Sequence, residues 1–81
     1  MSTSPVKVEP LAVDVSFPNG ASLLVRLGDE REISEPLLWF PRLAAATAEE
    51  RADYLLIGGG IGIHWPRIDE DLSVAGLLRG D

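Results

Sequence analysis

Apolar and polar residues alternate from Leu11 to Phe17, with Leu11, Val13, Val15 and Phe17 on one side and Ala12, Asp14 and Ser16 on the other. That is the period of a strand with one buried face. Pro18-Asn19-Gly20 follows, and a three-residue loop places Pro at the first central position of a type I turn and Gly at the left-handed bulge position. The returning strand then pairs Phe17 with Ala21, Val15 with Leu23, Val13 with Val25 and Leu11 with Leu27. A two-residue Asn-Gly turn would set Val13 opposite Arg26, so the hydrophobic pattern selects the longer loop. In this register Asp14 and Arg26 share the outer face and meet diagonally.

The next reversal is expected at Gly28-Asp29-Glu30, ahead of a short, charged, edge-like third strand over Arg31–Glu35 that Pro36 ends. Leu37, Phe40, Leu43 and Ala44 have helical spacing, and Pro41, tolerated only in a first turn, pushes the regular helix start to Leu38 or later. Thr47-Ala48-Glu49-Glu50 is a capping box, which predicts a second short helix from Ala48 to Asp53 or a kinked continuation of the first. Tyr54–Ile57 and Ile61–Trp65 read as a second hairpin closed by Gly58-Gly59-Gly60, with Ile61, Ile63 and Trp65 on one face and Gly62 and His64 on the other. A phosphate-cradling loop needs a helix N-terminus behind its glycines, whereas here an alternating β-branched and aromatic run follows. The glycines are therefore expected to form a turn that needs positive φ. Pro66 stops the strand, Asp69-Glu70-Asp71 is expected as a solvated connection, and Ser73 caps a final helix over Val74–Leu78 with Gly80 past its end. These elements sum to an α+β fold: a two-layer domain with a mostly antiparallel sheet of four or five strands, covered on one face by the Leu37–Asp53 helical segment. Residues 1–10 read as an N-terminal extension and residues 11–81 as a single small domain.

Composition narrows the functional classes. Thirteen acidic and seven basic residues give a net charge of −6, spread evenly over both halves, and no two basic residues are adjacent. Nucleic-acid backbones and anionic membranes require a concentrated positive face, so neither is an expected partner. The absence of Cys removes thiolate chemistry and disulfides, which suits a reducing, cytoplasmic setting. No apolar run approaches the length of a membrane span, and no leader-like pattern opens the chain.

Candidate catalytic groups do not assemble. His64 is the single side chain whose ordinary titration falls near neutrality, and it stands without an assigned orienting acid. Ser16, Ser22, Ser34 and Ser73 lie in alternating strands or at a cap, away from any nucleophile elbow, and Glu49 and Glu50 diverge on a helix. No spacing marks a zinc or calcium site, so neither metal nor cofactor is expected. Trp39-Phe40-Pro41-Arg42 and Trp65-Pro66-Arg67 each combine an aromatic ring, a rigid proline and an arginine, the mixture enriched at protein-contact hot spots. Trp39, Pro41, Arg42, His64, Trp65, Pro66 and Arg67 are the candidate partner contacts.

Four blocks follow in order, Pro36-Leu-x-Trp39-Phe40-Pro41-Arg42-Leu43, Ala46-Thr47-x-Glu49-Glu50-Arg51, Ile57-Gly58-x-Gly60-x-Gly62-Ile63-His64-Trp65-Pro66, and Asp69-Glu70-Asp71-Leu72-Ser73-Val74-x-Gly76-Leu77-Leu78, and the resemblance they carry extends over roughly residues 11 to 80. Together they resemble a family of short bacterial proteins catalogued as a domain of unknown function. Ile61 departs from the pattern by placing an apolar residue where the loop is expected to be polar. The resemblance implies a small α+β domain with an antiparallel sheet, no known catalytic residues and no cofactor. Shorter members are often encoded beside another small protein, which implies an antitoxin-like or regulatory role. Longer relatives append a helix-turn-helix domain that this chain, ending at Asp81, does not carry, so direct DNA binding is not expected. The expected function is a non-catalytic interaction or regulatory protein acting on another small protein or by self-association. The alternative is a small-ligand binder or an accessory domain of an enzyme, with the Gly58–Gly62 hairpin and His64/Trp65 lining a shallow pocket.

Overall fold

The first reversal needs more chain than the sequence pattern assigns to it, because Asn19 and Gly20 both adopt positive φ, 56° and 64°, inside a 3-10 turn over Pro18–Gly20. The computed structural model describes residues 10–79. β1 (Ala12–Ser16) and β2 (Ser22–Leu27) flank that turn and pair Val15 with Val25 and Ser16 with Leu24. The expected register, Val15 with Leu23, is thus shifted by two residues. A two-residue shift returns each side chain to its expected face, so Val15, Leu23 and Val25 all remain buried.

Nearer the start of β1 the expectation fails for a different reason. Ala12 pairs with Leu27 while Asp14 pairs with Arg26, so Val13 is an extra residue and the strand bulges. The bulge reverses the faces on its N-terminal side: Ala12 is buried, Leu11 is turned outward and Val13 is 52 % exposed. The two-residue register shift, rather than the bulge, sets Asp14 directly across from Arg26 instead of diagonally.

β3 (Glu32–Pro36) is the charged edge of the first sheet, whose order is β1-β2-β3, all antiparallel. In the turn before it the Asp29 carboxylate accepts the Arg31 backbone N–H at 3.1 Å and its Nε at 2.7 Å. The backbone donor first, then the guanidinium, hold this carboxyl below its ordinary 3.8. Since the charged form is the one favoured in the fold, this contribution is present above that value and fades as the pH falls through the lowered one.

Leu37–Trp39 forms a 3-10 turn, after which Pro41 occupies the first position of α1 (Pro41–Ala45), where its missing N–H costs no hydrogen bond. α2 (Ala48–Ala52) is separate from α1 and begins on the expected capping box: Thr47 Oγ1 accepts the Glu50 N–H at 3.1 Å, and the Glu50 carboxylate accepts the Thr47 N–H at 2.8 Å.

β4 (Leu55–Ile57) and β5 (Gly62–Trp65) form the glycine-closed hairpin, and Ile61 lies in its turn, 50 % exposed rather than on the inner face with Ile63 and Trp65. The acidic stretch expected as a connection is instead a strand. Asp69 takes φ 53°, which lets Pro66–Asp69 reverse the chain, and β6 (Glu70–Ser73) pairs Trp65 with Glu70, His64 with Asp71, Ile63 with Leu72 and Gly62 with Ser73. The single sheet of four or five strands is accordingly corrected to two three-stranded antiparallel sheets, β1-β2-β3 and β4-β5-β6. α3 (Val74–Arg79) follows directly, with Ser73 Oγ accepting the Gly76 N–H at 2.9 Å as the expected cap. Gly80, expected past its end, lies outside the described residues, as do most of the extension assigned to residues 1–10 and the final residue.

Both sheets supply one core: Ala12, Val15, Leu23, Val25 and Leu27 from the first, Ile63 and Trp65 from the second. Leu37 and Leu43 from the intervening segment, and Val74 and Leu77 from α3, complete it. α2 buries no residue, so the expected helical cover is reduced to the buried Leu37 and Leu43, with Phe40 and Ala44 packed partly buried beside them. Tyr54 links the sheets at one end of β1, its hydroxyl accepting the Val15 N–H at 3.2 Å and donating to Asp14 Oδ1 at 3.3 Å. The glycine turn links them at the other, where Gly60 O accepts the Ala12 N–H at 2.8 Å.

Gly58, Gly59 and Gly60 all have positive φ, but their surroundings differ. A Cβ on Gly59 would meet nothing within 4 Å, one on Gly58 would press on the flexible Ile61 side chain at 2.7 Å, and one on Gly60 would lie 2.5 Å from the Ala12 carbonyl oxygen. Backbone cannot move aside as a side chain can. Thermal melts of the three alanine variants should therefore rank Gly59→Ala mildest, near the roughly 1 kcal/mol cost of a left-handed alanine, Gly58→Ala next, and Gly60→Ala worst by at least about 2 kcal/mol more. Equal midpoints for Gly59→Ala and Gly60→Ala would contradict this packing.

Candidate interaction site

A 3-10 turn has three residues per turn, so a three-residue example can bury only one side chain against a flat neighbour. At Leu37–Trp39 the buried one is Leu37, which leaves two consecutive large apolar side chains outside, Leu38 at 84 % exposure and Trp39 at 63 %. Pro36 caps this turn and Pro41 opens the helix that follows, which fixes φ on both sides of the knuckle.

Arg42, on the first turn of α1, reaches the β5–β6 turn. Its Nη1 donates to the Asp69 carbonyl at 2.6 Å and lies 3.9 Å from the Asp69 carboxylate. Both side chains are largely exposed, so the ionic part contributes little, and the hydrogen bond to the carbonyl is the structural tie. Through it, the segment that carries Trp39, Pro41 and Arg42 is tied to the turn that carries Pro66 and Arg67. Pro41, Pro66 and Arg67 are all exposed.

Trp65 does not belong to this surface. It is 0 % exposed, with its Nε1–H donating to the Arg51 carbonyl at 3.0 Å and its ring near those of Phe17 and Tyr54 at 6.3 and 6.4 Å. The period of β5 drives it inward with Ile63, so the expectation that it contacts a partner is corrected.

His64 points to the other face of β5 and is not alone. Its Nδ1 is 2.6 Å from Asp71 Oδ1, directly across the β5–β6 ladder. Nothing in the sequence pairs Asp71 with His64, because one apolar residue, Leu72, among the four positions of β6 is a faint strand signal in a stretch expected as a solvated connection. The pair fixes the imidazole and leaves Nε2 for a further hydrogen bond, but Asp71 is exposed and no group of three or more His, Cys, Asp or Glu side chains able to hold a metal occurs among the described residues. The shallow pocket expected from the Gly58–Gly62 hairpin with His64 and Trp65 does not form as such, since Gly60 is packed on β1 and Trp65 is buried. The open groove near Gly62 is lined instead by Ile57, Ile63, Asp71, Leu72 and Ser73. No helix among the described residues is long and apolar enough to cross a membrane.

Replacing His64 by Gln preserves hydrogen-bonding capacity across the ladder. Urea denaturation of His64→Gln should give a stability within about 1 kcal/mol of the parent, as for other exposed polar pairs. A loss well beyond that would make the His64–Asp71 pair a structural staple of the second sheet.

The same architecture is found in proteins of known structure. A crystal structure of a protein of unknown function from Rhodospirillum rubrum is 28 % identical, with the match covering 90 % of this chain and 89 % of that one at a TM-score of 0.76. A solution structure of an uncharacterised protein from Chromobacterium violaceum shares the fold at 22 % identity and a TM-score of 0.72, over 86 % of this chain and 65 % of that one. No curated protein matches the chain. Residues 12–81 match the model of a family described as proteins of unknown function, DUF2442, and the chain belongs to that family.

Proposed function

We propose that this chain is a small, non-catalytic interaction protein that docks another small protein through the Leu38–Trp39 knuckle, with Pro41, Arg42, Pro66 and Arg67 around it. The observation that supports the reading is the exposure of Leu38 and Trp39, 84 % and 63 %, on a turn held between two prolines. Leaving two such side chains in water forgoes about 1.5–3 kcal/mol of burial each, a stabilisation recovered when a partner covers them. Trp and Arg at the centre of a rigid patch are the residues that carry most contact energy in protein interfaces. The net charge of −6 suits a partner with a basic surface rather than a nucleic acid. In biological terms the reading is an antitoxin-like or regulatory partner in a bacterial two-gene pair, acting in the cytoplasm.

The test uses the protein encoded beside this one, co-expressed and purified with it. Because Trp39 is exposed, Trp39→Ala should leave the melting temperature nearly unchanged while weakening that complex by about 30-fold, the loss of one hot-spot contact of about 2 kcal/mol. Arg67→Glu, at an exposed position, should weaken it as well. Wild-type affinity in both variants, or no complex with the parent chain, would overturn the assignment.

A further inference from the structure

Arg51 spans the bend between α1 and α2. Its Nε donates to the Leu43 carbonyl at 2.8 Å and its Nη2 to the Ala44 carbonyl at 3.0 Å. Those oxygens belong to the last turn of α1, where a cation is favoured, and the Leu43 carbonyl also accepts the Ala46 N–H at 3.2 Å. The guanidinium also lies over the Phe17 ring, 5.8 Å from its centre. Three contacts thus fix the plane of the group, and none of them involves Nη1.

Nη1 makes no hydrogen bond to another described residue, and Arg51 has no carboxylate partner among them. It lies 3.8 Å from the place where a Cβ on Gly20 would sit, so on that side it faces a residue without a side chain. Beside it is a cleft of about 310 Å³ whose walls are Val15, Phe17, Ala48 and Ala52 and whose polar lining is Arg51 and Ser16. An apolar cleft with one oriented cation is the form that small-molecule sites take, and this volume lies at their small end.

We propose that this cleft binds a small carboxylic acid with an apolar body, its carboxylate on Arg51 Nη1 and its hydrocarbon against Val15, Phe17, Ala48 and Ala52. A planar guanidinium presenting a free edge matches a carboxylate in both charge and geometry. The overall negative charge repels anions at long range, so the selectivity rests on this one contact. The volume admits a small free acid. The site goes beyond the partner surface proposed at Trp39 and shares no residue with it.

The experiment is a titration of the nitrogen-15-labelled full chain, followed by amide chemical shifts, with 4-methylpentanoate in one arm and the uncharged 4-methylpentanamide in the other. The acid should shift amides within residues 15–20 and 48–52 and bind at least about 10-fold more tightly than the amide, the effect of one charge-assisted hydrogen bond. Arg51→Gln should make acid and amide equivalent. Ala48→Leu fills the cleft from its opposite wall, at an exposed helix position and without touching the Arg51 bonds to α1; it should abolish binding at an unchanged melting temperature. The proposal is overturned if the parent chain binds acid and amide equally, if Ala48→Leu binds as the parent does, or if no shifts arise in those segments up to about 10 mM acid, a generous ceiling for a ligand of this size.

Discussion

The contact between the Gly60 backbone and Ala12 is the constraint on which the rest of this small fold depends. Gly60 O accepts the Ala12 N–H at 2.8 Å, and the two backbones approach so closely that a Cβ on Gly60 would stand 2.5 Å from the Ala12 carbonyl oxygen. Two three-stranded antiparallel sheets have little to share unless something brings their buried faces to one core. The glycine turn does this by docking the tip of the second sheet on the first strand of the other. The bulge at Val13 follows from it, since Ala12 must face the glycine while Gly28 N–H holds the Leu11 carbonyl at 2.8 Å on the other side. Tyr54 fastens the opposite end of the same strand. Between these two points Trp65 fills the space with no exposed surface and with its one polar atom bonded.

Two similar segments, each an aromatic residue with a proline and an arginine, meet opposite fates for reasons of backbone period. Trp65 lies on a strand in phase with Ile63 and is drawn into the core. Trp39 lies on the third position of a 3-10 turn whose buried position is taken by Leu37, and is left in solvent. The Arg42 bond to the Asp69 carbonyl then ties the first segment to the turn that follows the second. The exposure of Leu38 and Trp39 is thus a consequence of how the core is filled.

Features set by neighbours in the chain were legible in the sequence. The Thr47–Glu50 capping box, the Ser73 cap, the proline at the start of α1 and the glycine-closed hairpin all depend on spacings of a few residues, and all are present. The faces of β1 and β2 were legible as far as Val15, Leu23 and Val25, because period two survives a register shift of two. Features set by distant residues were not. The bulge requires Gly60, nearly fifty residues away, and β6 is held by pairing with β5 in spite of two acids that read as solvated. The same distinction separates the candidate sites. Trp39 and Arg42 could be singled out from composition, whereas the carboxylate opposite His64 and the cleft at Arg51 exist only once β6 lies beside β5 and α2 lies beside the first hairpin.

Native-state hydrogen exchange tests the role of the glycine joint most directly, because it reads the opening free energy of single amides. The Ala12 amide sits near the start of a strand, where fraying would ordinarily let it exchange early. If the joint to Gly60 holds the sheets as one cooperative unit, the Ala12 amide opens with the same free energy as the most protected amides of β2 and β5, and the two sheets open together. Rapid exchange at Ala12, or separate opening free energies for β1-β2-β3 and β4-β5-β6, would contradict that account.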